Sequence, residues 1–481
     1  MRPHNLVVIM SDEHHPRAMG SAGHPFAITP NLDRLAARGT RFDAAYCNSP
    51  ICVPSRASFA TGRYVHELGT WDNAIAYDGS VPGWGHALQK TGHRVDSIGK
   101  LHYRSVEDPT GFDHQYHPMH IYGGYGMVWG ALRDGTIDFS ERAHVMMNPI
   151  GPGTSKYNIY DDRIATEAET WISRAASKKH EQPWVLYIGF VAPHFPLTVP
   201  QDILDLYPVD KMPFPRLHPK NGHPRHPWLE DSHRRHPVDD ALDDDNQRRL
   251  ATACYYGLCT WVDRQVGRVI GALERGGLAD TTRVVYTSDH GDNIGARGMW
   301  GKSTHYDDAA SVPMIVAGPD VPSGSVCHTP VSLVDLAPTI MQAVGEDPYA
   351  WAKSELPGKS LFEICTEPHD GSRTVFSEYH AFGSPSAAFM LRNGRYKYNY
   401  YVGYPSELFD LDADPGEERN LLSDPNFSAI VAGFEMQLRD MLDPEATDAR
   451  AKADQAALIE RFGGPQKAMN VGAPGATPAP V

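Results

Sequence analysis

Cysteine is scarce in this chain: six residues in 481, too few for a disulfide scaffold at that length. Cys47 and Cys52 stand close together, as do Cys254 and Cys259, but neither pair has the partner set of a zinc finger. Long apolar runs are missing as well. The run Leu6-Val7-Val8-Ile9-Met10 is too short for a signal-peptide core, and no later stretch approaches the roughly 20 apolar residues of a membrane span. The expectation is a soluble, cytoplasmic protein with no membrane partner. Basic runs are absent too. The 44 Lys and Arg stand against 59 Asp and Glu, a net charge of −15, which speaks against nucleic acid as a partner. No internal repeat is visible. What is present is an apolar fraction of 41%, enough for a sizeable core spread over about two to four domains.

The unbroken run at 6–10 has the pattern of a strand buried on both faces, and it ends in Ser11-Asp12-Glu13-His14-His15. Acids at the carboxyl end of a central strand sit where α/β sheets bind ligands. Similar runs at 184–190 and 284–288 lead into Ala192-Pro193-His194 and Asp289-His290-Gly291-Asp292, and 95–100 and 313–318 also read as strands. Helical spacing marks 30–38, with Gly39 as its C-cap, and also 84–89, 162–176 and 250–273. The alternation predicts an α/β fold over residues 1–373: a doubly wound, mostly parallel sheet flanked by helices. From Thr374 the pattern changes to short strands around an Asn393-Gly394 hairpin signal, then a helix at 427–442. Residues 374–445 are therefore expected to form a smaller antiparallel sheet with one helix.

Residues 446–481 read as a helical and extended tail. The helix at 449–461 could serve homo-oligomer contacts, and the Gly-, Ala- and Pro-rich stretch 472–481 is expected to be poorly ordered or held by a partner. Residues 105–160 are expected to lie as an insertion over the site. Residues 211–246, with His218, His223, His226, His233 and His236, read as a solvated loop without metal-ligand spacing.

One stretch carries more chemistry than the rest: Cys52-Val53-Pro54-Ser55-Arg56, continuing to Thr61-Gly62-Arg63. Pro54 and Ser55 suit a first helical turn, since proline lacks the N–H that would be orphaned there and serine can cap. A helix N-terminus lowers the pKa of a nearby thiol, and Arg56 would add a full positive charge. The place is therefore expected to accept an anion. The residues alone leave three readings of Cys52: a nucleophilic thiol, part of an oxyanion pocket, or a buried cysteine before a helix.

Cys-x-Pro-Ser-Arg followed by Thr-Gly resembles the signature of the type I sulfatases of the alkaline-phosphatase-like superfamily. Gly99-Lys100-Leu101-His102, Ala192-Pro193-His194, and Leu408-Phe409-Asp410-Leu411 with Asp414-Pro415-Gly416-Glu417 are similar to further elements of that family. The nearest branch is that of choline-sulfatase-like and phosphonate monoester hydrolase-like enzymes. The resemblance implies that a maturation enzyme oxidises Cys52 to formylglycine, whose hydrate is the nucleophile. It also implies one divalent metal held by Asp12, Glu13, residue 52, Asp289 and His290. Ca²⁺ comes first, with Mg²⁺ or Mn²⁺ as alternatives, since carboxylates favour hard cations. The family more often has aspartate where Glu13 stands, and some members have asparagine in place of His290.

The remaining roles follow from the same resemblance. Arg56 and Lys100 would neutralise the nucleophile and the sulfate oxygens. Lys302 and His194 would hold the leaving oxygen, with His194 as general acid and His102 as the base for sulfate release, and Asn73 would donate a hydrogen bond to the transferred group. Trp71, Tyr103, Arg104, Trp300 and His305 would either shape the alcohol pocket or only pack. The implied activity is hydrolysis of a small-molecule sulfate ester to alcohol and sulfate. A phosphonate monoester or phosphodiester hydrolase is the alternative, because those substrates carry the same single negative charge. Lys100 and His102 favour sulfate, since the phosphonate branch tends to place tyrosine and threonine there. A non-catalytic binder of sulfated ligands is the remaining class.

Overall fold

The computed structural model of the protein describes residues 2–480 apart from positions 134, 136, 353 and 354; Val481, the end of the expected tail, lies outside the described residues. Its centre is one sheet built from β1 (Asn5–Asp12), β2 (Gly39–Phe42), β3 (Val95–Lys100), β4 (His114–Met119), β5 (Val185–Pro193), β6 (Thr282–Ser288), β7 (Met314–Ala317) and β8 (Ser325–Cys327). The order across the sheet is β8-β2-β7-β6-β1-β5-β3-β4. All neighbours are parallel except β7, which runs against both β2 and β6.

Period-two alternation inside the apolar run explains why β1 has no polar face. Leu6, Val8 and Met10 point into a layer with Phe59, Trp84 and Leu336. Val7 and Ile9 point into the opposite layer with Ile164, Trp171 and Val266. The first layer is covered by α2 (Cys52–Thr61), α3 (Trp84–Lys90) and α6 (Leu336–Ala343). The second holds α1 (Pro30–Ala37), α4 (Lys156–Ala176) and α5 (Asp245–Arg275). Each fully buried aliphatic side chain contributes on the order of 1.5–3 kcal/mol, so both faces must be covered. This is the doubly wound, mostly parallel α/β architecture that the alternation of strands and helices predicts.

Gly39 is not the cap of α1. Arg38 takes that place, and Gly39 opens β2, where a Cβ would stand 2.1 Å from the Val316 carbonyl oxygen. The constraint is a close strand approach rather than a left-handed turn.

The C-terminal part forms a separate antiparallel sheet of β9 (Thr374–Tyr379), β10 (Ala388–Asn393), β11 (Tyr396–Tyr401) and β12 (Glu407–Asp410). Phe434 and Leu438 of α7 (Ser428–Met441) pack on Phe389, Leu391 and Tyr398. Leu458 and Ile459 of α8 (Pro444–Arg461) pack on Val128 and Trp129 instead.

Two further expectations change. The histidine-rich stretch is not a solvated loop: it contains a helix at Pro227–Arg235, and His218 and His233 are buried. His218 is bonded to Asp239, which also pairs with Arg248. Nor is the tail loose, since Ala473 and Thr477 are buried, their carbonyls accepting from Trp129 Nε1 and the Tyr157 hydroxyl. The 105–160 segment both adds edge strand β4 and supplies Met127, Trp129, Arg142 and Met146 to the cavity described below.

A buried ion-pair network ties the small sheet to the large one. Lys397 of β11, fully buried, reaches Asp307 at 2.8 Å and Glu417 at 2.7 Å. The turn that holds Asp307 also accepts the Gly291 N–H on the Ala309 carbonyl at 2.8 Å. Gly291 follows His290, and a Cβ on it would stand 2.3 Å from the Asp308 carbonyl oxygen. Removing one member of a buried ion pair leaves an uncompensated charge. Lys397→Met is therefore expected to lower stability by about 3 kcal/mol in equilibrium urea unfolding; a loss under about 0.5 kcal/mol, typical of surface changes, would contradict the network's role.

Candidate active site

Four adjacent parallel strands, in the order β6-β1-β5-β3, end at one place. Asp12 closes β1, Asp289 and His290 follow β6, His194 follows β5, and Lys100 closes β3. Open α/β sheets bind ligands at such carboxyl ends. Facing them is the first residue of α2, Cys52. Its Sγ lies 3.3 Å from His290 Nε2, 3.6 Å from Asp12 Oδ1 and 3.2 Å from Lys302 Nζ.

All ten residues of α2 are buried. The helix begins at Cys52 itself, with no side-chain cap; Ser55 Oγ donates to the Asp289 carbonyl at 2.6 Å instead. Asn73 Oδ1 accepts the Val53 N–H at 3.2 Å, satisfying one of the orphan donors of the first turn from outside the helix. Gly62, at φ +67°, closes the helix as a left-handed C-cap. The motif thus holds residue 52 through contacts made at both ends of its helix.

Arg56, one turn on, is 1% exposed and is fully engaged with the protein. Its Nε donates to Asp289 Oδ2 at 2.8 Å, Nη2 to Asp12 Oδ2 at 3.2 Å, and Nη1 to the Lys100 carbonyl and the Tyr187 hydroxyl. A planar fork suits this work, because it fixes two carboxylates relative to each other. Lys100 Nζ adds a 2.6 Å contact to Asp12 Oδ2.

Glu13, expected beside the other ligands, shares Asp12 with them but groups with a histidine. Asp12, Cys52, Asp289 and His290 form one cluster with donor atoms within 4.8 Å of one another, while Glu13 falls in a second cluster with Asp12 and His194. Its Oε2 meets Lys302 at 3.2 Å and His194 Nε2 at 3.4 Å. The cause is the backbone: Glu13 has φ +71°, its N–H bonds Asp289 Oδ1, and the longer side chain is carried across to the lysine. His102 (φ +56°) and Ser303 (φ +79°) share this left-handed conformation, which costs non-glycine residues on the order of 1–3 kcal/mol and gathers at working sites.

Electrostatics reverse one expectation outright. Burial, with Asp12 and Asp289 adding to it, pushes the Cys52 thiol up to about 11, and Lys302 and Lys100 offset only part of this. The helix N-terminus does not produce a thiolate here, because desolvation and the facing carboxylates outweigh it. Burial would also raise Asp12, but Lys100, His194, Lys302 and Arg56 together hold its carboxyl well below the usual range. Glu13 goes the other way: burial raises it beyond what Lys302 can offset. Burial and the neighbouring lysine and arginine charges keep His102 well below an ordinary histidine, and burial with Lys302 does the same to His194.

His290 is set in a ligand-ready form. Its Nδ1 lies 2.9 Å from the Gly291 carbonyl, which can only accept, so Nδ1 carries a hydrogen and Nε2 is the nitrogen turned toward Asp12 and Cys52.

Residues 4–346 match the family model described as Sulfatase. The chain belongs to the sulfatase family. A second model, described as N-sulphoglucosamine sulphohydrolase, C-terminal, matches residues 295–443. The choline-sulfatase of Rhizobium meliloti is 30% identical over 475 residues, covering 94% of this chain and 89% of the relative. The arylsulfatase K of Danio rerio is 28% identical over 470 residues, covering 91% and 84%. Among solved structures, a phosphonate monoester hydrolase from Silicibacter pomeroyi superposes with a TM-score of 0.72 at 25% identity, covering 91% of this chain and 95% of that one. A 2-O GAG sulfatase gives 0.69 at 22% identity with 99% of each chain covered, a likeness of fold. The protein is a sulfuric ester hydrolase.

The sulfatase site opens into a cavity of about 90 Å³. His102, Asn73, Lys100, His194 and Lys302 line it together with Cys52. Of the five candidate wall residues, Trp300 lines it. Trp71 is bonded to Asp454 and packs on His380, Tyr103 belongs to the core, Arg104 pairs with Asp78 and Asp108 at the surface, and His305 is buried elsewhere. Sequence reasoning missed the actual walls: Trp129, Arg142, Tyr157, Phe195, Phe382 and Thr477. They come from separate segments, and no local spacing links them.

A thiol near 11 is almost wholly protonated at neutral pH. In chain whose Cys52 is unconverted, iodoacetamide labelling near neutral pH is expected to be at least about 100-fold slower than for a model thiol, and to accelerate as pH approaches about 11. Rapid neutral labelling would contradict the field described here.

Proposed function

We propose that this sulfatase works with residue 52 in its formylglycine form, beside a divalent cation held by Asp12, Asp289 and His290. The supporting observation is the position of Cys52. Its Sγ is where imidazole, carboxylate and ammonium meet, yet as a thiol it is held protonated and is a poor nucleophile. The place suits a reacting atom; the unmodified side chain does not suit the reaction.

The donor set fits a hard cation. Two carboxylates and one imidazole nitrogen converge in a buried space, Asp12 is held ionised, and Glu13 Oε1 is buried without a partner next to them. Ca²⁺, Mg²⁺ and Mn²⁺ all accept such ligands. When bound, the cation would polarise a sulfuryl oxygen and acidify the nucleophile, and formylglycine would supply, as its hydrate, an oxygen nucleophile with a second hydroxyl for sulfate release.

The chain's own residues do the rest. Arg56 and Lys100 keep the two aspartates in register. Lys302, whose ammonium Cys52, Glu13, Asp12 and Asp289 hold charged against the penalty of burial, faces the cavity beside residue 52 and neutralises the oxygens of the transferred group. His194 stands on the leaving-oxygen side, positioned by the Phe195 carbonyl on its Nδ1. His102 serves sulfate release, and Asn73 holds the first turn of α2 while lining the cavity.

The outer cavity suits an aryl or small neutral alcohol. Trp129, Phe195, Phe382 and Trp300 supply its apolar walls. The Arg142 guanidinium lies 3.8 Å from the centre of the Trp129 ring, occupying the face a quaternary ammonium would use. In a side-by-side assay, aryl sulfate is expected to exceed choline sulfate in kcat/KM, and an aryl phosphonate monoester to fall below aryl sulfate by at least about tenfold, or ~1.4 kcal/mol. Preference for the phosphonate would overturn the sulfate reading.

A further inference from the structure

Past α8 the chain turns back onto the catalytic face. Gly472 begins the return: it has φ +109°, and a Cβ there would lie 2.2 Å from the Gly126 carbonyl oxygen. The strap is then held from several elements in succession. Trp129 Nε1 donates to the Ala473 carbonyl at 2.7 Å, and Arg142 Nη1 donates to the Pro474 carbonyl at 2.7 Å. The Tyr157 hydroxyl, on α4, donates to the Thr477 carbonyl. Ala473 is 1% exposed and Thr477 7%. Gly475, Ala476 and Thr477 face the same cavity as Cys52 and Lys302.

The contact that matters most is made by a side chain. Thr477 Oγ1 lies 3.0 Å from His102 Nε2, while His102 Nδ1 is buried without a hydrogen-bond partner. The imidazole therefore takes its orientation from Thr477. A β-branched side chain is stiff about χ1, and the backbone carbonyl of the same residue is pinned to Tyr157, so the hydroxyl is presented from a fixed base.

We propose that residues 472–480 complete the active site: Thr477 is a positioning residue that fixes the ring of His102, and Gly475 and Ala476 form the wall that limits the alcohol. The inference rests on His102 working in ester hydrolysis, as set out above. It assigns function to a stretch whose composition reads as a loose tail. It also explains why that stretch begins at a glycine no other residue can replace without displacing the Gly126 carbonyl.

The test compares Thr477→Val, which keeps the shape and loses the hydroxyl, with Thr477→Ser, which keeps the hydroxyl. Both are made in the full chain and assayed on 4-nitrophenyl sulfate. Thr477→Val is expected to lower kcat by about tenfold with KM changed by less than about twofold, and Thr477→Ser to stay within about twofold of the parent chain in both. Equal kcat for the two variants would overturn the positioning role. If the parent chain cleaves the phosphonate ester better than the sulfate, the functional reading fails by itself, and the valine-to-serine ratio is read on the phosphonate ester with the same criterion. Deletion from residue 472 onward should raise kcat/KM for a naphthyl sulfate relative to 4-nitrophenyl sulfate; an unchanged ratio would overturn the wall.

Discussion

Two carboxylates, those of Asp12 and Asp289, are shut away from water at adjoining strand ends, with the Glu13 carboxyl, raised by burial, beside them. Left alone, such a group would not stay folded in this form, since each buried charge carries a penalty of several kcal/mol. Arg56, Lys100 and Lys302 answer them at distances of 2.6–3.2 Å. Arg56 is the member that touches most of the arrangement, reaching Asp12, Asp289, Lys100 and Tyr187 at once. For its guanidinium to lie there, α2 must be buried on every side, and for α2 to be buried the residues after Cys52 must be small or apolar. The composition of the motif helix thus follows from the charge it carries.

The larger architecture serves the same balance. Parallel strands bring four loops to one edge, and the doubly covered sheet excludes water beneath them. The C-terminal sheet contributes no residue to the ligand cluster among the described residues. It acts through Lys397, whose ion pairs with Asp307 and Glu417 brace the turn against which Gly291, and so His290, is packed. Above the site, the strap from Gly472 and the segment around Trp129 and Arg142 form the roof. Strain sits at the centre: Glu13, His102 and Ser303 all hold left-handed backbones, and the surrounding packing keeps them there.

Much of the frame was legible in residue order. Unbroken apolar runs located β1, β5 and β6, and acids or histidines at their ends located the cluster, because both signals are local. What depended on distant partners was not legible. Gly39 looks like a helix cap until Val316 is placed beside it. Ser55 looks like a capping serine, but its hydroxyl goes to Asp289, 234 residues on. A thiol at a helix start should be acidic by local reasoning, yet burial and two carboxylates from other strands reverse the sign. That Glu13 also meets Lys302 and His194 depends on residues far along the chain. The histidine-rich stretch and the Gly-, Ala- and Pro-rich tail have the composition of exposed chain. Their burial comes from surfaces, such as Trp129 and Tyr157, that no window of sequence contains.

The central claim is that catalysis resides in the oxidised form of residue 52 and not in its thiol. The most direct measurement is mass spectrometry of the peptide containing residue 52 across preparations of differing specific activity. The account predicts that activity rises in proportion to the fraction carrying the aldehyde and extrapolates to zero where only the thiol is present. Full sulfate-ester hydrolysis by a preparation holding residue 52 solely as cysteine would contradict it.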